Sequence, residues 1–304
     1  VHRRQLADYS LLAVVWGCSF LILVQAVEAF GWVGAVTFRA LIAAALLWGI
    51  ARVSGRRLDF AIGWRPLLIV GATTVAGQLI GLSFAAPRIG SAMSAIFVAT
   101  IPLFSMVIGQ WWGTEHIGPS GRVGLVVGLA GMVLLVGFPA VPVTTSFVIG
   151  CLASLLSCIS SAFGSNYARL RLRHVGAWEQ TIGSFAFGGL LTLPLLVFVP
   201  VPRMPSALDV LYLLLLAAVV SSLCYVVYFR LVSEVGATRA ISVEFVVTVI
   251  AVIAGSVVLD EQLSWVQLIG GTIIILGCAM VLGLLPRRRQ VSTARPPAPQ
   301  PSRQ

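Results

Sequence analysis

Ten apolar runs, each close to the length of a membrane-spanning helix, follow one another through this 304-residue chain. A helix needs about 20 apolar residues to cross roughly 30 Å of hydrocarbon. The runs lie at about 10–28, 32–52, 66–86, 90–112, 121–138, 147–168, 178–199, 208–230, 237–259 and 265–285. Backbone polar groups in lipid must be paired within their own segment, so runs of this length are helices. The ten-residue alternating strands of a porin-like barrel are absent from the sequence. Gaps such as Pro87-Arg88-Ile89 are short enough to hairpin neighbouring spans. The expected fold class is therefore all-α integral membrane, with ten transmembrane helices. The first run lacks a small-residue cleavage site and leads straight into further runs, so it reads as a span and not a cleaved signal.

Charge supports lipid as the solvent and sets an orientation. Only 10% of residues are charged and 59% are apolar, where a soluble domain carries about 25% charged residues. The net charge is +10, and all twenty cationic side chains are arginine. With the N-terminus inside, seventeen of them fall in cytoplasmic gaps and tails, and two, Arg88 and Arg203, fall outside. That asymmetry argues for N-in/C-in and, since both termini then share a side, for an even number of spans. It also argues against nucleic-acid binding. The five cysteines lie inside apolar runs without ligand spacing and read as small buried hydrophobes, not a metal site. Residues 286–304, rich in Pro, Arg, Ser and Gln, are expected as a disordered cytoplasmic tail behind a stop-transfer arginine cluster.

The chain also repeats. Sliding it by 146 residues aligns residues 90–137 with 236–283 without a gap. The identities are Gly90/Gly236, Gly109/Gly255, Glu115/Glu261, Gly124/Gly270, Gly131/Gly277 and Gly137/Gly283. The first spans align one residue off that shift, WGCSF at 16–20 against FGSNY at 163–167. Five spans per half make the second copy inverted, an arrangement typical of secondary transporters with the site between the halves.

Trp16-Gly17, Phe38-Arg39, Pro102, Glu115 ahead of Gly124 and Gly131, and in the second half Glu261, Leu263, Gly270 and Gly277 carry a resemblance. In their joint spacing the chain resembles EamA-type permeases of the drug/metabolite transporter superfamily. The likeness covers residues 9–138, a first EamA-like five-helix repeat, and 148–285, a second. It implies a carrier, often an exporter, of amino acids and other small metabolites. One departure is Thr248, where the family often has a proline in the ninth span; the helix there is expected to be less kinked.

Ionisable groups at membrane depth need a reason. Arg39 lies about 10 Å in from the outer face and Glu244 about 12 Å in from the inner face, at 1.5 Å per residue. Arg39 suits a cargo carboxylate or phosphate; the alternatives are an arginine snorkelling outward or bonding a broken helix end. Glu244 suits a proton carrier or cation counter-charge; the alternative is an ion pair with Arg39 or Arg239. Gln78 and Asn166, larger and further from span ends than the other neutral polar residues, are expected to line the path, against the alternative of interhelical hydrogen bonding. Trp16 and Tyr225 are candidate cavity walls. Glu115 and Glu261 sit in hairpins and read as structural, and Ser264 to Gln267 reads as a capping box.

No phosphate loop, HExxH, GxSxG or dinucleotide fingerprint occurs, and the three histidines lie in loops or tails. An enzyme and an ATP-driven pump are both disfavoured. The expected function is a secondary transporter, an exporter of small metabolites such as amino acids. A carrier of lipophilic drug-like cations is the first alternative, and a non-transporting receptor or an intramembrane enzyme the second. The expected partners are a small-molecule substrate and the lipid bilayer of a bacterial inner membrane. No cofactor is expected, and the chain acts as a monomer or homodimer.

Overall fold

The structure, a computed structural model, describes residues 3–114, 118–137, 143–260 and 264–281. Glu115, Glu261 and the 286–304 tail, for which the sequence sets expectations, lie outside those residues. Every element among the described residues is helical. The helices are α1 (Arg3–Val53), α2 (Trp64–Ile89), α3 (Ser91–Trp111), α4 (Pro119–Gly137), α5 (Thr145–Arg171), α6 (Ala177–Val197), α7 (Ala207–Val235), α8 (Ala237–Val258) and α9 (Trp265–Val281). Seven of these are long and apolar enough to cross a membrane; α4 and α9 are shorter apolar helices.

Helix α1, at 51 residues, would be about 76 Å long if straight, far beyond the roughly 30 Å of a bilayer core. It breaks at Gly31, whose φ of 73° and ψ of 162° no helix admits and which a side chain would strain. The tight connections between α2 and α3 and between α7 and α8 also turn on glycine. Gly90 (φ 85°, ψ 156°) and Gly236 (φ 98°, ψ 160°) adopt nearly the same conformation, and they are the pair aligned by the 146-residue shift. A second pair of irregularities follows the same spacing. The helical turns widen to π geometry at Gly71–Gly77 in α2 and at Leu216–Leu223 in α7. Such stretches commonly sit at functional sites.

Helix α8 is interrupted at Ser242–Val243, near its start, and α3 at Ala99–Thr100. At Thr248, the position without the proline, α8 stays helical. The Thr248 hydroxyl donates to the Glu244 carbonyl one turn back (2.7 Å) and to the Ala95 carbonyl of α3 (2.8 Å). The start of α9 carries the expected capping box. Ser264 N–H donates to Gln267 Oε1 at 2.9 Å, and Gln267 N–H donates to Ser264 Oγ at 3.1 Å.

Helices α4 and α9 pack chiefly on each other, outside a bundle in which α1 contacts α2, α3, α6, α7 and α8. Glycine lets their backbones meet. A Cβ on Gly131 would lie 2.8 Å from the Gly270 carbonyl oxygen, and one on Gly277 would lie 2.7 Å from the Gly124 carbonyl oxygen. These are contacts with backbone, which cannot swing aside. Gly277→Val is therefore expected to lower stability by about 1–3 kcal/mol through overpacking. A fall in the thermal unfolding midpoint in detergent, with no change in cargo affinity, is the result to look for.

Candidate functional site

A partly open cavity of about 50 Å³ lies where α1, α2 and α3 meet α7 and α8. Its walls include Trp16 and Arg39 of α1, Gln78 of α2, Tyr225 of α7 and Glu244 of α8. Five of the six residues picked out from the sequence thus converge on one space. In this conformation it has room for only a few waters.

The two ionisable residues are both buried, Arg39 at 4% and Glu244 at 7% exposure. They do not pair. The ion pairs among the described residues are Arg203–Asp209 and Arg230–Asp8. Arg39 neither snorkels nor bonds a broken helix end. Its Nε donates to Ser221 Oγ in the π stretch of α7 at 3.1 Å, and its two terminal nitrogens have no hydrogen-bond partner among the described residues. The Glu244 carboxylate likewise has neither a hydrogen bond nor an ion pair among them; the bond this residue accepts, from Thr248, is on its backbone carbonyl. Two opposite charges, on largely buried side chains and without an ion-pair partner among the described residues, thus face one cavity. A ligand bearing both charges would satisfy both.

The aromatic wall is tied to the same stretch of α7. Cys224 N–H bonds back five residues to the Val219 carbonyl, which releases the Val220 carbonyl from it. The Val220 carbonyl accepts the Trp16 indole N–H at 3.4 Å. The Trp16 ring lies 5.4 Å from both Tyr225 and Tyr228, and Tyr225 stands edge-on to Phe185 at 4.8 Å. Tyr228 is anchored by a 2.7 Å hydrogen bond between its hydroxyl and Ser165.

Asn166 is the sixth expected residue, and it does not line the cavity. Its amide nitrogen donates to the Ser105 carbonyl (3.2 Å), Ser105 Oγ (2.8 Å) and the Ala162 carbonyl (2.9 Å), joining α5 to α3. Ser105 Oγ in turn shares a 3.0 Å bond with Thr238 of α8. Asn166 acts as an interhelical tie, so Asn166→Ala is expected to cost about 1–2 kcal/mol of stability and to leave cargo KM unchanged. Parallel melting and flux measurements check this; a raised KM with an unchanged midpoint would return Asn166 to the cargo path.

Several contacts lay outside the sequence expectations. Ser221, in the π stretch of α7, holds Arg39. The pair between Asp8 and Arg230, with Nη2 2.6 Å from each carboxylate oxygen, joins the start of α1 to α7. Close by, the Tyr9 hydroxyl donates to the Arg239 carbonyl at 2.6 Å. In the sequence Arg230 counted only toward orientation, and Arg239 toward orientation and as an alternative partner for Glu244.

Comparison with known proteins agrees with this architecture. Residues 9–137 and 148–283 each match the EamA-like transporter family. The chain is similar to protein PecM of Dickeya dadantii (strain 3937), 27% identical over 294 residues covering 94% of this chain and 96% of that protein. It is also similar to the uncharacterized inner membrane transporter YedA of Escherichia coli (strain K12), 26% identical over 284 residues, covering 89% and 88%. A solved crystal structure matches with a TM-score of 0.69 at 16% identity, covering 91% of this chain and 97% of that one, a likeness of fold. The apolar helices, the twofold family match and these relatives make the chain a multi-pass membrane transporter, and it belongs to the EamA-like transporter family.

Proposed function

We propose that this transporter is a gradient-driven exporter of small zwitterionic metabolites, amino acids being the leading class, bound between Arg39 and Glu244. The observation that carries the reading is the cavity itself. It presents an unpaired guanidinium and an unpaired carboxylate, each buried, on helices from the two halves of the chain. A cargo carboxylate takes the two free guanidinium nitrogens, in the bidentate geometry arginine favours. A cargo ammonium, or a proton, takes Glu244. Trp16 and Tyr225 supply apolar and cation–π surface for the rest of the molecule.

The transport cycle follows from the same layout. The chain crosses the bacterial inner membrane ten times as two inverted five-helix repeats, residues 9–138 and 148–285, with both termini cytoplasmic. The count is supported by the break in α1 at Gly31 and the short apolar helices α4 and α9. The repeat is supported by matching glycine turns and matching π stretches. A cavity of about 50 Å³ is too small for an amino acid; ligand sites run to about 300 Å³ and more. Cargo therefore enters when the halves rock apart, and alternating access opens the site to each side in turn.

The aromatic wall beside Glu244 favours one second reading, export of lipophilic organic cations. Reconstituted vesicles separate the two. Vesicles loaded with labelled leucine or labelled tetraphenylphosphonium are followed with and without a proton gradient. Gradient-dependent leucine efflux supports the zwitterion reading, and cation efflux alone replaces it with the second. Flux of neither favours a receptor.

A further inference from the structure

Three successive residues in the π stretch of α7 meet both arms of α1. The Val220 carbonyl accepts the Trp16 indole N–H, on the arm before Gly31. Ser221 Oγ accepts Arg39 Nε–H at 3.1 Å, on the arm after it. Ser222 Oγ lies 3.3 Å from the Ala43 carbonyl, one turn further along that arm, while its shorter bond, 2.8 Å, goes back to the Ala217 carbonyl of α7. In a regular helix backbone carbonyls are occupied by the i→i−4 ladder, and a π stretch loosens that ladder. At this irregularity a carbonyl and a hydroxyl of α7 hold the two arms of α1.

The Ser221 bond is specific in what it leaves free. A guanidinium has five N–H donors in a fixed planar fork. Holding it at Nε fixes the plane while leaving the Nη1 and Nη2 edge open to the cavity. That edge is the one that grips a carboxylate with two parallel bonds. Ser221 is completely buried, so no bulk water competes for the bond.

We infer that Ser221 is a positioning residue: it orients the Arg39 guanidinium so that the carrier distinguishes cargo bearing a carboxylate from the same molecule without one. The inference rests on the proposed zwitterion site, whose carboxylate subsite it sharpens. Ser221 itself touches no cargo. Without its hydroxyl, Arg39 keeps its charge but loses its fixed plane, so recognition of a planar anion suffers more than recognition of a cation.

The test compares leucine with leucinamide, which keeps the side chain and the amine but lacks the carboxylate, in vesicles carrying wild type, Ser221→Ala or Ser221→Thr. For Ser221→Ala, leucine KM is expected to rise about tenfold with maximal rate within about twofold, and leucinamide KM to stay unchanged; Ser221→Thr restores wild-type behaviour. An independent reading comes from the Nε–H signal of Arg39 in 15N-arginine-labelled protein, assigned by its loss in Arg39→Gln. Its exchange with solvent is expected to quicken in Ser221→Ala and to remain slow in Ser221→Thr. Equal KM changes for the two probes, or an exchange rate unmoved by Ser221→Ala, overturns the inference. If wild type moves neither probe, the cargo proposal fails, and the exchange rate decides the positioning of Arg39 without it.

Discussion

Glu244→Gln is expected to abolish proton-coupled transport, a loss of at least about a hundredfold, equivalent to about 2.7 kcal/mol, while the protein stays folded. The carboxyl and amide groups are nearly the same shape, so packing around the side chain survives. Removing an unpaired buried carboxyl does not orphan a partner, because among the described residues this one has none; the usual large penalty for breaking a buried pair does not arise. The thermal midpoint is therefore expected to hold or rise. What disappears is the ability to bind and release a proton, or to balance a cargo ammonium. Wild-type flux is expected to follow the proton gradient across a series of external pH values, and the variant to be flat across the same series. Unchanged, pH-dependent transport by Glu244→Gln would remove this residue from the coupling mechanism.

Arg39→Gln is the second large effect. It takes away the only cation lining the cavity among the described residues. The KM for leucine is expected to rise about a hundredfold, the scale of a lost charge-assisted bidentate bond, whereas leucinamide is affected little. Arg39→Lys is not expected to rescue, since an ammonium lacks both the planar fork and an Nε for Ser221 to hold. Flux measured against both probes checks this. A lysine variant that transports leucine normally would show that charge alone suffices and that the geometry at Ser221 is immaterial.

Much of this was legible from the residues. Span length and arginine asymmetry gave the membrane class, because both are imposed directly by the bilayer. Arg39 and Glu244 stood out as charges at membrane depth and Gln78 as a large polar residue far from span ends, and the structure gathers them on one cavity with Trp16 and Tyr225. The glycines aligned by the repeat turn out to let the α4 and α9 backbones meet, at Gly131 and Gly277. Asn166 stayed open between two readings because a buried amide at mid-membrane depth faces either a cavity or a neighbouring helix, and rotation about the helix axis decides which. Here it faces Ser105.

The pairing of Arg39 was illegible for a related reason. Depth estimates allowed it to reach Glu244, but its actual bond is to Ser221, in the π stretch of α7. The apolar run containing that stretch carries no residue that announces a widened turn. The Asp8–Arg230 pair likewise joins residues 222 positions apart, a distance in sequence that composition and periodicity do not bridge.

The central claim is that one cavity, charged by Arg39 and Glu244, carries a small zwitterion between the two halves of the chain. Its most direct test is efflux of labelled leucine from vesicles containing wild type, Arg39→Gln or Glu244→Gln, with and without an imposed proton gradient. The expected result is gradient-driven efflux by wild type, weak efflux by Arg39→Gln that recovers only at high leucine, and no gradient response from Glu244→Gln. Wild-type efflux that both variants reproduce, in rate and in gradient dependence, would contradict it.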